Sequence, residues 1–343
     1  MHQRYLLSFL LILATGSSPA KSPTDPYDLL LKSSAQRINE VLGYVAQSTV
    51  ALADEYQRIR GRSSARDDSG LKTWQDASLQ QGDTIGFRFS DAKLEPTYQA
   101  PVPAFYYYGA APLNEAIAHQ LNELRALAPV VRTAYESFDF SWVYITTSCE
   151  LLLIYPYLPF DEAVNNYPPT EQIFYTCADF KNRKSGWSAP YFDLVGAGMM
   201  VTVSTPAFVN DKPVAVVSRD ITLVELTESV LKNLVSEPDA VAYLVDEYGL
   251  VIDVSDPALA KELLDINTKN QAATLYYADK ATASDKGGVI SQTAWVNEVT
   301  AAVLKAASAH NLIQLTAAGR KVLSTRIEAT GWRLILAFPQ DTQ

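Results

Sequence analysis

From Leu31 the apolar and small positions fall at Leu31, Ala35, Ile38, Leu42, Val45, Thr49, Leu52, Tyr56 and Ile59, alternating steps of four and three residues. Such steps line one face of an α-helix, so the spacing predicts a helix with a single apolar seam. At about 1.5 Å per residue, roughly 35 residues span about 50 Å, more than one small domain needs. The helix is therefore expected to run alongside two modules of its own chain. A homodimeric coiled coil is the competing reading, and Ala35 and Thr49 are weak knobs for it. The charged stretch Arg58 to Asp68, closing on Ser69-Gly70, reads as the loop that ends the helix. Residues 71–112 are polar, proline-rich and without a clear period, and predict only loop with short strands. Helical spacing returns at Leu113, Ile117, Leu121, Leu124 and Leu127/Ala128, predicting a second helix over Asn114 to Val131.

The period then changes to that of strands. Ser141 to Pro156 holds two β-rich runs around a polar turn, a hairpin in which Trp142 and Tyr144 share one face and Val143 and Ile145 the other. The phrase recurs 99 residues on: with Tyr144 placed on Tyr243, Glu150 falls opposite Gly249 and Leu151 to Leu153 opposite Leu250 to Ile252. One weak repeat of this length suits duplicated domains rather than a solenoid. Each copy ends in closing strands, 198–206 and 213–221 in the first, 312–316, 320–328 and 331–338 in the second. The expected fold class is α+β, a mixed α/β architecture of two antiparallel-sheet modules with helices packed on one face. The expected divisions are a long helix in 21–66, a first module in 67–235 and a second in 236–343.

Residues 1–20 read as a secretory signal: His2 and Arg4, the apolar run Leu6 to Ala14, and Ser18-Pro19-Ala20 before the cut. A retained anchor is the alternative, but the run breaks after about ten residues, against about 20 for a span. The mature chain is expected to be periplasmic or secreted. With 28 Lys+Arg against 38 Asp+Glu the formal charge is −10, which disfavours nucleic acid and anionic membranes as partners. Beyond the signal only His119 and His310 remain, so zinc clusters, Ser-His-Asp triads and Cys-His pairs lack their imidazoles, and no metal or cofactor is expected. Carboxylate pairs such as Asp161-Glu162 or Asp193 with Asp220 leave hydrolysis as a remote reading, and the chain is expected not to be an enzyme. Cys149 and Cys177 form a candidate disulfide in an oxidising compartment; two buried free thiols are the other reading.

Tyr155, Tyr157, Tyr167, Tyr175, Trp187 and Tyr191 concentrate aromatic area in under forty residues, with Asp193 and Asp220 as nearby charges. An aromatic box with a carboxylate holds ammonium groups by cation–π contact and charge pairing, although aromatics in β-rich text are most often core. Tyr144 is either pocket floor or core. Asp193 either meets a ligand or caps the turn into Gly196 to Gly198. Asp246, Glu247 and Asp253 read as solvated turn and strand-end acids.

The order of long helix, W-V-Y-I-T-T hairpin, Gly186-Trp187-Ser188-Ala189-Pro190-Tyr191-Phe192-Asp193, Val201 to Pro206 and Val216 to Leu223 resembles the double Cache sensor family. Tyr243 to Ile252 and Gly331 to Leu336 resemble its membrane-proximal half. The resemblance implies an extracytoplasmic receptor module of two PAS-like folds, the first binding an amine, amino acid or small carboxylate. It carries Trp187, Tyr191 and Asp220 onto the family's ligand positions. Ser185 stands where the family's amino-acid binders have an Arg, and Ser188 where they have a Tyr; the nearest bases are Arg183 and Lys184. A carboxylate gripped bidentately needs a guanidinium at a fixed place, so the acids and aromatics suit an amine better. The family's receptors continue into a membrane span and an output region, whereas Gln343 lies five residues past Phe338. A membrane receptor or kinase is therefore the expected partner, with a docking subunit that has no ligand of its own as the alternative.

Overall fold

The computed structural model describes residues 26–340 except 63–69, 89–94, 139–141, 165–167, 194–197, 227–230, 232–233, 236–238, 270–273 and 309. The export signal read in residues 1–20, and Tyr167 of the aromatic cluster, lie outside the described residues.

The seam becomes helix α1 (Pro26–Arg62), 37 residues long, with every seam position from Leu31 to Tyr56 buried. It packs within the chain. Leu31 to Val45 join one core, and Leu52, Ala53 and Tyr56 another. After α2 (Leu71–Asp76) come β1 (Ser78–Gln81), β2 (Thr84–Phe87), β3 (Ala104–Tyr107) and α3 (Glu115–Ser137). Asn114 caps α3 by accepting the Ile117 N–H at 3.1 Å, as a short polar side chain does for an orphan helix donor. The hairpin follows as β4 (Val143–Thr147) and β5 (Leu151–Tyr155), then α4 (Phe160–Ala163), α5 (Ile173–Thr176), β6 (Gly186–Trp187) and β7 (Tyr191–Phe192). Two long strands, β8 (Met199–Val209) and β9 (Lys212–Thr222), close the first sheet, which runs β1-β2-β3-β5-β4-β9-β8-β6 with β7 also on β8.

After α6 (Leu223–Leu226) the plan repeats with β10 (Val241–Val245) and β11 (Val251–Val254). Then come α7 (Pro257–Lys269), β12 (Leu275–Tyr276), α8 (Lys280–Asp285), β13 (Val289–Ile290), α9 (Ala294–Ala307), β14 (Leu312–Ala317), β15 (Arg320–Arg326) and β16 (Arg333–Pro339). The second sheet runs β11-β10-β16-β15-β14, and β12 and β13 form a separate parallel pair. In both large sheets the first hairpin strand lies between its hairpin partner and the last strand, so β5-β4-β9-β8 and β11-β10-β16-β15 are equivalent orders. The duplication extends to the turns: Glu150 and Gly249, opposite each other in the repeat, both have positive φ, 68° and 89°.

Alternation sorts the central strands as their residues dictate. Val143, Ile145, Leu151, Leu153 and Val217 face α1 and α3, while Trp142, Tyr144 and Ile154 face the segments that follow the hairpin. Two expectations change. Cys149 and Cys177 are unbonded, because the sheet separates them: Cys149 packs on the helix face, whereas Cys177 lies against Gly186 and Thr202 on the other side. Burial pushes both thiols up. Asp253 is buried rather than solvated, because it lies within β11 opposite Leu244, and its carboxylate accepts the Val254 N–H at 2.8 Å. Asp246 is a turn acid, accepting the N–H groups of Tyr248 and Leu250.

Candidate ligand-binding site

Three adjacent strands, β4, β9 and β8, place polar side chains on the face away from α1. Register sets Tyr144 opposite Ser218, and Asp220 opposite Thr202, so Tyr144, Ser218, Asp220, Thr202 and Ser204 share one surface. There the Tyr144 hydroxyl donates to Asp220 Oδ1 at 2.9 Å, and the Thr202 hydroxyl donates to the same oxygen at 2.6 Å. Tyr191, carried over by the β7–β8 pairing, has its hydroxyl 2.6 Å from Thr202 Oγ1. Ser188 closes a double link to β8: its N–H donates to the Thr202 carbonyl at 2.8 Å, and its Oγ accepts the Thr202 N–H at 2.9 Å. Gly186 permits the close approach beside it, since a Cβ there would stand 1.9 Å from the Cys177 carbonyl oxygen.

Aromatic walls surround the carboxylate. Phe174 meets Tyr144 edge-on, with ring centroids 5.2 Å apart, and its carbonyl accepts from Ser204 and Ser218. Tyr98 meets Trp142 at 5.9 Å. The indole N–H of Trp142 is buried with no hydrogen-bond partner among the described residues, an orphan donor of the kind that demands an explanation. Asp193 is buried nearby, its N–H donating to the Gly198 carbonyl at 2.8 Å.

The electrostatics follow from burial. Asp220 is pushed up to about 7, by burial first and further by the charge of Asp193, while the hydrogen bonds from Thr202, Tyr144 and Tyr191 pull the other way. Tyr144 and Tyr191 are raised well above the usual phenol range, again by burial first and then by the Asp220 charge. Tyr98 is pushed up to about 12, through burial and the charge of Asp193. Near neutrality this face therefore carries a partly ionised carboxylate among aromatic rings.

The sequence-picked residues divide. Asp220, Tyr144, Tyr191 and Asp193 come together. Trp187 does not join them: it pairs with Val203, whose side chain lies on the opposite face, and its ring packs 5.4 Å from that of Trp332 in the second sheet. Tyr155 pairs with Val143 and therefore points to the helix side, where it meets Tyr135 at 5.2 Å. Tyr175 packs on Phe180 at 5.5 Å, and Tyr157 donates to Glu95 at 2.7 Å. Arg183 is exposed, ion-paired with Asp211 at 2.8 Å. Sequence reasoning missed Thr202, Phe174 and Tyr98 as wall residues and placed Trp142 only on the same strand face as Tyr144. Thr202 was legible as the cross-strand neighbour of Asp220 once the closing strands are paired, whereas Tyr98 lies in aperiodic loop and carries no signal.

Residues 157–228 match the family described as methyl-accepting chemotaxis protein-like, first PDC sensor domain. The matched stretch includes Phe174, Tyr191, Thr202 and Asp220. A comparison with curated proteins found no match. Among solved structures, the ligand-binding domain of the amino acid chemoreceptor PctC of Pseudomonas aeruginosa PAO1, in complex with GABA, is 16% identical. The alignment covers 92% of this chain and 100% of that one, at a TM-score of 0.45. The ligand-binding domain of the chemoreceptor CtaA of Pseudomonas fluorescens, in complex with L-isoleucine, is 17% identical over 63% of this chain and 76% of that one, at a TM-score of 0.40. The chain thus has a long helix and two modules of like strand order, and part of the first matches a PDC sensor-domain family.

Proposed function

We propose that this chain is an extracytoplasmic, periplasmic small-molecule sensor. Its first module, residues 67–235, binds an amine-bearing ligand, an amine or an amino acid, and its second, residues 236–343, relays occupancy to a membrane receptor or kinase. Among the described residues no helix is long and apolar enough to cross a membrane. The observation that carries the reading is Asp220: a buried carboxylate held on one oxygen by Tyr144 and Thr202, among the rings of Tyr144, Tyr191 and Trp142. A carboxyl that ionises near pH 7 costs almost nothing to charge there, so nearly all of its attraction to an ammonium is available for binding. A charge-assisted hydrogen bond contributes about 2 kcal/mol, and a desolvated cation–π contact about as much. The Trp142 N–H, unpaired among the described residues, is a donor for an acceptor on the same ligand, which extends the fit to amino acids.

The test is a thermal-shift panel of amines, amino acids and small carboxylates on the full chain and on Asp220→Asn. Amine-bearing compounds should raise the melting temperature of the parent in a concentration-dependent way and leave Asp220→Asn unmoved. A panel without any response, or a response that survives Asp220→Asn, overturns the reading.

A further inference from the structure

A groove of about 480 Å³ runs between α1 and the far end of β8, lined among others by Val50, Ala53, Asp54, Arg183, Lys184 and Phe208. That volume lies within the range of small-molecule sites, about 300 to 1,000 Å³. Thr205, also in its wall, has its hydroxyl 2.7 Å from that of Thr49 on α1, so the groove opens on the sheet face opposite Asp220. It is separate from the site above and stands independently of the function proposed for it.

The two bases are held in place rather than trailing from a loose loop. Asp179 and Lys184 exchange backbone hydrogen bonds of 3.2 and 3.1 Å, and the Asp179 carboxylate accepts the Asn182 N–H at 3.0 Å and its side-chain amide at 2.8 Å. Within this turn Arg183 has a φ of 56°. Its guanidinium lies over the Phe208 ring, 4.6 Å from the centroid. Its ion-pair partner Asp211 has a side chain 86% exposed, against 53% for Arg183 itself. An ion pair that wet contributes little, about 0 to 1 kcal/mol, so a better-placed anion can displace Asp211. The facing wall is apolar: Val50 is 41% exposed, beside Ala53. Gln57 fixes that wall, accepting the Phe208 N–H at 2.7 Å and donating to Asp54 at 3.0 Å.

We propose that this groove is a second binding site, for a monocarboxylate with an apolar flank. The carboxylate would replace Asp211 on Arg183 with Lys184 beside it, and the apolar part would lie on Val50 and Phe208. Asp54 sets the charge limit, since a dianion would bring a second negative charge toward it.

Calorimetric titration of the full chain at low salt with benzoate and hexanoate, against succinate and inorganic phosphate, tests this. Benzoate or hexanoate should bind saturably, and more tightly than succinate or phosphate. Arg183→Ala combined with Lys184→Ala should weaken binding about tenfold or more, because it removes the charge-assisted donors. Asp211→Asn should strengthen it severalfold by removing the internal competitor, a gain that unfolding cannot mimic. Lys261→Ala, which removes an exposed charge on α7, should change nothing. Absence of saturable binding, tighter binding of phosphate or succinate, or indifference to either groove variant overturns the proposal.

Discussion

Asp220 turns burial into a pH dependence with a definite sign. Its carboxyl has an ordinary pKa of 3.8 and titrates at about 7 in the fold, so between these values the folded chain holds a proton that the unfolded chain has released. Stability from this group is therefore largest below about pH 4 and is lost as pH rises to 7, beyond which the loss is constant. Over that whole range the loss amounts to at most about 4 kcal/mol. Asp220→Asn keeps an acceptor for Tyr144 and Thr202 and removes the charge. It should raise the melting temperature at pH 8, leave it nearly unchanged at pH 4, and flatten the slope between; an unaltered slope would assign the titration elsewhere. Amine affinity should run the opposite way. It should rise about tenfold per pH unit below 7 and level off above, as the carboxylate forms, which titrations at pH 5, 6, 7 and 8 would follow.

The hairpin turn is the element in which the duplication is written most sharply. Gly249 has a φ of 89°, and a Cβ there would come within 2.7 Å of Ala278 Cβ and 3.0 Å of its nitrogen, so Gly249→Ala meets both strain and overlap. It should cost about 2 kcal/mol or more in urea unfolding. At the equivalent position Glu150 bears the same backbone geometry, at φ 68°, and its carboxylate accepts from Thr170. The α1 seam, both hairpins and both sets of closing strands were legible because local periodicity fixes them. The face that a residue takes was legible only where the strand's own alternation decides it, as for Trp142 and Tyr144. Trp187 and Tyr155 went to the wrong side because cross-strand register sets their faces, through Val203 and Val143, and these partners lie beyond any local pattern. Phe174 and Tyr98 reach the site from short or aperiodic segments, where sequence has no period to read.

At the scale of the whole molecule the two sheets share a core. Met199, Val201, Val203 and Ile221 of the first sheet pack in one continuous apolar cluster with the seam of α1 from Leu31 to Val45 and with both hairpin and closing strands of the second sheet. Strand β8 is the common wall, with Thr202 bonded to Asp220 on one face and Val201 and Val203 in the shared core on the other. Trp187, from β6, reaches Trp332 at the start of the last strand. Modules joined only by a linker would unfold separately, but here neither can lose its fold without exposing apolar surface of its neighbour. The chain should therefore melt in a single calorimetric transition. Val203→Ala, a truncation on the first sheet costing about 2 kcal/mol, should lower the urea midpoint seen by the Trp295 and Trp332 probes of the second module as much as that seen by Trp74 and Trp142. Two resolved transitions, with only the first moved by Val203→Ala, would mean that β8 carries no coupling. In the coupled case a ligand bound at the Asp220 face stabilises the second module against unfolding by the same free energy as the first.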